Sequence, residues 1–176
     1  PKPHNVKMCH SNPGVWEQWL ADAGEEIEEH PNRTVFNASP NDSGNSGHCI
    51  CTDCRAWDHP DGKEMMYRWE GIGQKYVATA DRHVTFANHC SRLFKKQYPQ
   101  KDYHVAMMAY GTWRPAPVEA VADDNVLIVN VASFFWWGPE EDSPSDRAKM
   151  YAKWGKMARH QVRRPNVGSP AGWVQG

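Results

Sequence analysis

The chain predicts an α/β fold in which parallel β-strands alternate with helices, about half of a (β/α)8 TIM barrel. Three observations carry this expectation. The element order reads strand, helix, strand, helix, strand, strand, helix, the strands are apolar enough to be covered on both faces, and a polar or aromatic loop follows each main strand. An open doubly wound sheet satisfies the same order. Loops rich in functional residue types at the strand C-termini favour the barrel, because barrel enzymes build their sites there. Residues 1–176 therefore read as a single domain or a fragment of a larger barrel, completed by its remainder or by a partner chain.

His4 to Cys9 alternates Val6 and Met8 and reads as a short strand ending in the turn Ser11-Asn12-Pro13-Gly14. Asn12-Pro13 opens a helix over Gly14 to His30, with Val15, Trp16, Trp19, Leu20, Ala23 and Ile27 at helical spacing. Thr34 to Ala38 is the next strand. Arg55 to Gln74 reads as a long polar loop, functional or inserted. A helix follows over Val77 to Tyr98, with the stripe Phe86, Cys90, Leu93 and Phe94 and with Lys95-Lys96 where cations suit the helix dipole. Tyr103 to Tyr110 and Asn125 to Ala132 are apolar strands, the first followed by an aromatic, proline-rich loop and the second by SFFWWGPEEDS. Ser145 to His160 is the last helix, with Ala148, Tyr151, Ala152, Trp154 and Met157 inward, and the basic run Arg159 to Arg164 reads as its solvated end.

Lys+Arg 20 against Asp+Glu 21 leaves no field of one sign, so neither nucleic acid nor a charged membrane surface is expected as partner. No apolar run is long enough to cross a bilayer. The N-terminus has no signal-peptide core, but a chain that begins at Pro1 reads as processed, trimmed or a fragment, and a leader would have left no trace. Nine Trp in a chain of mean hydropathy −0.77 is a high aromatic load, and aromatics beyond the needs of a core commonly line binding surfaces.

The densest chemistry lies in His48-Cys49-Ile50-Cys51-Thr52-Asp53-Cys54. With Cys9, the residues Cys49, Cys51 and Cys54 could hold a tetrahedral zinc ion as four thiolates, His48 being a substitute ligand. Cys90 belongs to a helix core. Disulfides, inert thiols and a redox pair at Cys51 and Cys54 remain open readings of the same residues, and an iron–sulfur cluster fits the spacing less well. Asp42, after the strand Thr34 to Ala38, is the carboxylate most clearly set at a strand end, although an Asp beside Asn and Ser is often only a turn former. Tyr110, Trp113 and Arg114 follow one strand, while Trp136, Trp137 and Glu140 follow another. Aromatic rings stack on sugar faces and carboxylates bind hydroxyls or move protons at a glycosidic bond, so these loops suit a glycan. The bland reading makes Trp136 and Trp137 core, and Glu140 part of the acidic first turn of a helix. Gly71 to Lys75, GIGQK, follows no strand in this reading and is set aside as a nucleotide loop.

Three blocks together, SPND with its glycine loop and CxCxxC, DRHVTFANHCSRLFKKQYP, and HVAMMAYGTWRPAP, resemble the bacterial domain of unknown function 4838 over nearly the whole chain. The resemblance implies a TIM-barrel, glycoside-hydrolase-like domain of secreted or surface proteins, extracellular or periplasmic, distantly similar to α-glucuronidases and hexosaminidases. In barrel hexosaminidases two adjacent acids end one strand. The matching positions are Asn41 and Asp42, so Asp42 alone carries over, as general acid, with Asn41 as a substrate contact and Glu140 as the second carboxylate.

Overall fold

Helix α1, Pro13–Glu29, starts where Asn12 accepts the Gly14 N–H on its side-chain oxygen at 3.0 Å and Pro13 occupies the first turn, a position that needs no N–H donor. It stops before Pro31. The computed structural model describes residues 7–40, 48–69, 72–131 and 144–164. In it follow strand β1 (Val35–Asn37), the one-turn helix α2 (Thr52–Arg55), strands β2 (Glu64–Trp69) and β3 (Ile72–Val77) and helix α3 (Ala80–Gln97). Strand β4 (His104–Ala109), a 3-10 turn at Gly111–Trp113, strand β5 (Val126–Val131), helix α4 (Pro144–Met157) and strand β6 (His160–Arg164) complete it.

Strands β1, β4, β5 and β6 form one sheet in that spatial order, every pair parallel. The order follows the chain without reversal. A doubly wound sheet reverses at a switch point, so this order, which does not reverse, is consistent with part of a barrel. Register puts Phe36, Val105 and Val126 side by side, with Met107 and Ile128 one step further along, and all five are buried under the helices. One core joins these strands to Ala23 of α1, Val84, Phe86, Cys90 and Phe94 of α3, and Trp154 of α4. The helices thus share one face of the sheet, with Phe94 against Phe36 and Tyr103 at 4.7 and 4.4 Å between ring centroids.

No helix bridges β4 and β5. The connection is instead fastened to α3, whose polar positions 81, 88 and 92 recur at helical spacing, Asp81 and Asn88 being buried beneath it. The Asp81 carboxylate accepts the backbone N–H groups of Val118, Glu119 and Ala120 at 3.0, 2.8 and 2.8 Å. Asn88 donates to Val121 O and accepts from Asp123 N, and Arg92 forks onto Asp123. A loop pinned at three points does the packing that a crossover helix would otherwise do.

Several sequence expectations change. Residues 7–9 form no strand, and the rest of His4 to Cys9 lies outside the described residues. The span Arg55 to Gln74 is not a loop: β2 and β3 pair as an antiparallel hairpin, Glu64 opposite Val77 and Trp69 opposite Ile72. GIGQK therefore does follow a strand, but it leads into β3 rather than into a helix N-terminus, so the phosphate-loop geometry is absent. Because β3 uses the chain to Val77, α3 begins at Ala80. Arg159 to Arg164 is not a helix end: His160–Arg164 extends the sheet as β6, where backbone pairing with β5 outweighs the charges. In α4 Trp154 is buried as expected and Met150 packs beside it, with Ala158 buried just past the helix end, whereas Ala148, Tyr151 and Ala152 face solvent. Burial alternates residue by residue in β5, whereas β4 is buried at three consecutive positions, Val105 to Met107, so among the described residues the helices cover one face more fully than the other.

Candidate metal centre

Two helix starts and one tight turn bring the four cysteines together. Cys9 lies just before α1, where its carbonyl accepts from Asn12 N at 2.9 Å. Cys51 caps α2, and Cys54 sits three residues on, so a single helical turn points both sulfurs to one side. Cys49 joins from the approach to α2. All four sulfurs lie within 4.8 Å of one another, and the four cysteines could hold a metal ion. Cys9 Sγ is 3.6 Å from Cys51 Sγ and 3.7 Å from Cys54 Sγ. Four sulfurs around an ion at about 2.3 Å would stand about 3.8 Å apart. All four are free thiols in this structure. His48 is not in the group; its ring meets Tyr76 at 5.4 Å.

The surroundings favour thiolates. Cys54 N donates to Cys51 Sγ at 3.4 Å, and Ser11 N donates to Cys54 Sγ at 3.4 Å. The Ser11 hydroxyl stands 3.2 Å from Cys54 Sγ and 3.7 Å from Cys51 Sγ. N–H and O–H groups aimed at sulfur stabilise its anion. The Cys51 thiol is accordingly lowered to about 6, first by the Cys54 N–H and then by the Ser11 hydroxyl. Burial pushes Cys49 the other way, up to about 12. Cys90, apart from the group in α3, is raised by burial alone in all but name, the counteracting backbone contact being the smaller effect.

A buried cation supports the loop from behind. Arg82, on the first turn of α3 and fully buried, donates Nη1 to Cys49 O at 2.6 Å. Its Nε donates to Asp58 Oδ1 at 2.9 Å and its Nη2 to Asp58 Oδ2, a bidentate pair. The positive field reaches the neighbouring imidazoles. Burial first, then Arg82 and Lys7, hold His10 down to about 4, and burial, then Arg82, lower His48 as well. His83 is also held neutral by burial; its Nδ1 donates to Thr79 O at 2.6 Å. His10 and His83 meet edge to face at 4.7 Å, and both ring nitrogens of His10 are buried without a protein partner.

This arrangement lies at the C-terminal ends of the parallel strands. There α3 begins, and Thr79 N donates to Thr112 O just beyond β4. Tyr110 follows β4 directly and is 38% exposed, next to Gly111, whose φ of +54° suits glycine. Trp113 stacks one face on His83 at 4.4 Å and donates its indole N–H to Met108 O at 2.7 Å. Arg114 offers its carbonyl to the indole of the buried Trp154 at 3.0 Å. Asn41, Asp42, Trp136, Trp137 and Glu140 lie outside the described residues. Trp16 and Trp57 stack with His89 at 4.2 and 5.3 Å, so part of the aromatic load is packing.

Sequence reasoning missed Ser11, Asp58 and Arg82. Ser11 follows Cys9 by two residues, a spacing that signals a possible sulfur donor. Arg82 and Asp58 stand 24 residues apart in the chain, and no local pattern links them.

Residues 2–162 match the model of a protein family described as a domain of unknown function, DUF4838. No curated protein and no solved structure matches the chain. No described helix is long and apolar enough to cross a membrane.

Proposed function

Since the chain belongs to the DUF4838 family, whose function is undefined, we propose from the geometry that Cys9, Cys49, Cys51 and Cys54 form a structural zinc centre. In this reading the centre pins the segment after β1 to the starts of α1 and α3. The observation that carries the proposal is the pair of sulfur separations, 3.6 and 3.7 Å, close to the edge of a zinc–thiolate tetrahedron. Four protein ligands close the coordination shell, which is the pattern of structural rather than catalytic zinc. A tetrathiolate zinc carries two net negative charges, and Arg82, Arg55 and Lys7 supply a field of the opposite sign. Elemental analysis of the purified protein should find about one zinc per chain, lost on Cys51→Ser. Cobalt substitution should give the intense bands of tetrahedral thiolate. Iron in place of zinc, or metal-free protein whose four thiols all react at once, would overturn the assignment.

A second reading, acting on or binding a glycan at the same end of the sheet, is supported by the exposed Tyr110 and by the barrel-like winding. Here Asp42 is the proton donor and Glu140 the second carboxylate. Tyr110, Trp113, Trp136 and Trp137 supply the sugar platform, and Asn41 and Arg114 bind hydroxyls. The extracellular or cell-surface setting belongs to this reading too. Screening the protein against a broad glycan panel tests it: hydrolysis or binding should appear, and Asp42→Asn should abolish hydrolysis while sparing zinc content. An activity that Asp42→Asn leaves unchanged removes Asp42 from the role.

A further inference from the structure

Every ligand of the proposed zinc centre is a cysteine, so the side chains that hold the ion are also oxidisable. Coordination keeps them as thiolates, the form that attacks an oxidant. Exposure separates the four. Cys9, Cys49 and Cys51 are half-buried, whereas Cys54 has no exposed surface. An oxidant arriving from solvent therefore meets Cys51 before Cys54, although the two sit on one turn at the start of α2. Cys9 is already in contact with Cys51, sulfur to sulfur at 3.6 Å. A disulfide bond of about 2.05 Å asks for a further approach of about 1.6 Å, within reach of side-chain torsions. Cys49 is a poorer partner for Cys51. Only one residue lies between them, which leaves little backbone freedom to reach disulfide geometry, and the Cys49 carbonyl is held by Arg82 at 2.6 Å.

We infer that the centre is a peroxide-sensitive site, at which a hydroperoxide joins Cys9 to Cys51 as a disulfide and the zinc ion leaves. The inference rests on the zinc reading above. In the first step Cys51 Sγ attacks one oxygen of hydrogen peroxide, the O–O bond breaks, and hydroxide departs, leaving a sulfenic acid on Cys51. In the second the Cys9 thiolate attacks the Cys51 sulfur, the S–S bond forms, the S–O bond breaks and a second hydroxide departs. Two thiolates have given up two electrons, the peroxide has taken them, and both hydroxides gain protons from solvent to become water. The Ser11 hydroxyl stands 3.5 Å from Cys9 Sγ and 3.7 Å from Cys51 Sγ, where it reaches the departing oxygen with a hydrogen bond. Zinc is then left with Cys49 and Cys54 alone, half of a closed shell, and dissociates. The disulfide links the approach to α1 with the start of α2, segments 42 residues apart in the chain. It replaces the connection that the ion made, and a bridge over so long a loop stabilises more than one closed within the turn of Cys51 and Cys54. Oxidation thus exchanges one cross-link for another, whereas chelation only removes one.

Hydrogen peroxide added in equimolar amount to the zinc-loaded chain tests the inference. A chromogenic chelator should record release of the bound zinc. Proteolysis before Asp53 separates Cys54 from Cys49 and Cys51, and fragmentation tells the last two apart. Mass spectrometry of the unreduced digest should find Cys9 joined to Cys51, with Cys54 still open to alkylation after unfolding. Dithiothreitol and added zinc should restore the loaded form, and the oxidised chain should melt above the chelated one. Zinc retained through a several-fold excess of peroxide, a disulfide confined to Cys49, Cys51 and Cys54, or sulfinic acid at Cys51 without any disulfide would each overturn the inference and leave the zinc centre standing. A chain that holds no zinc before peroxide is added overturns the zinc reading itself, and this inference with it.

Discussion

Stripping the metal with a chelator should lower the melting temperature by roughly 8–16 °C. The size follows from linkage: zinc present at a thousandfold its dissociation constant adds about 4 kcal/mol to the folded state. For a chain of this length each kcal/mol moves the midpoint by about 2–4 °C. What would be lost locally is also clear. Cys9 precedes α1 and the other three cysteines lie at or before α2, so a bound ion would link two segments distant in the chain, Cys9 and Cys54 being separated by 45. Without it the contacts that remain are weak sulfur hydrogen bonds and the reach of Arg82 to Cys49 O. Cys54→Ser should reproduce the drop, and added zinc should then no longer raise the midpoint. The metal should also leave as pH falls. Bound thiolates carry no protons whereas the free thiols do, so acid favours the metal-free form. Differential scanning calorimetry with and without chelator, at two pH values, reads all three effects. A midpoint indifferent to chelation would remove zinc from the folding of this domain.

Much of this fold was legible because its apolar periodicity is strong. The helices α1 and α3 and the strands β1, β4 and β5 all follow it, and their ends fall within a few residues of Pro31, Pro99 and Gly111. The misreadings share a physical cause. The β2–β3 hairpin has Glu64, Arg68 and Lys75 in its sequence, a polar pattern that hid it, and it is defined by its antiparallel pairing. The useful signal was two six-residue runs separated by Glu70-Gly71. β6, HQVRR, is likewise polar in sequence and is held by its ladder to β5. In α4 the sequence placed Trp154 inward, as it is, but it also placed Ala148, Tyr151 and Ala152 there, which face solvent. For the site, short cysteine spacing pointed to three of the clustered thiols, and the fourth required only that Cys9 lie near them. Asp58 and Arg82 had no signal, because an ion pair across 24 residues is a product of the fold.

That pair supports the second large effect. Asp58→Ala should destabilise the protein by about 3–5 kcal/mol, the usual consequence of leaving one buried charge unpaired. Arg82 is fully buried, and the Asp58 carboxylate, 17% exposed, is the anion its fork engages among the described residues. With Asp58 gone the guanidinium keeps Cys49 O alone, a neutral acceptor, in surroundings that already hold His10 and His83 neutral. The reverse change is milder. Arg82→Met removes the charge that is hardest to bury and leaves Asp58 at a position water can reach, so the double variant should be more stable than Asp58→Ala alone. Chemical denaturation in excess zinc, with the midpoints of both single variants and the double compared as a thermodynamic cycle, measures the coupling without interference from metal loss. Strict additivity of the two single effects would show that the pair carries no interaction of its own. A positive coupling instead makes Arg82 the point through which α3 and the cysteine segment hold each other, since the same guanidinium grips Asp58 on one side of α2 and Cys49 on the other.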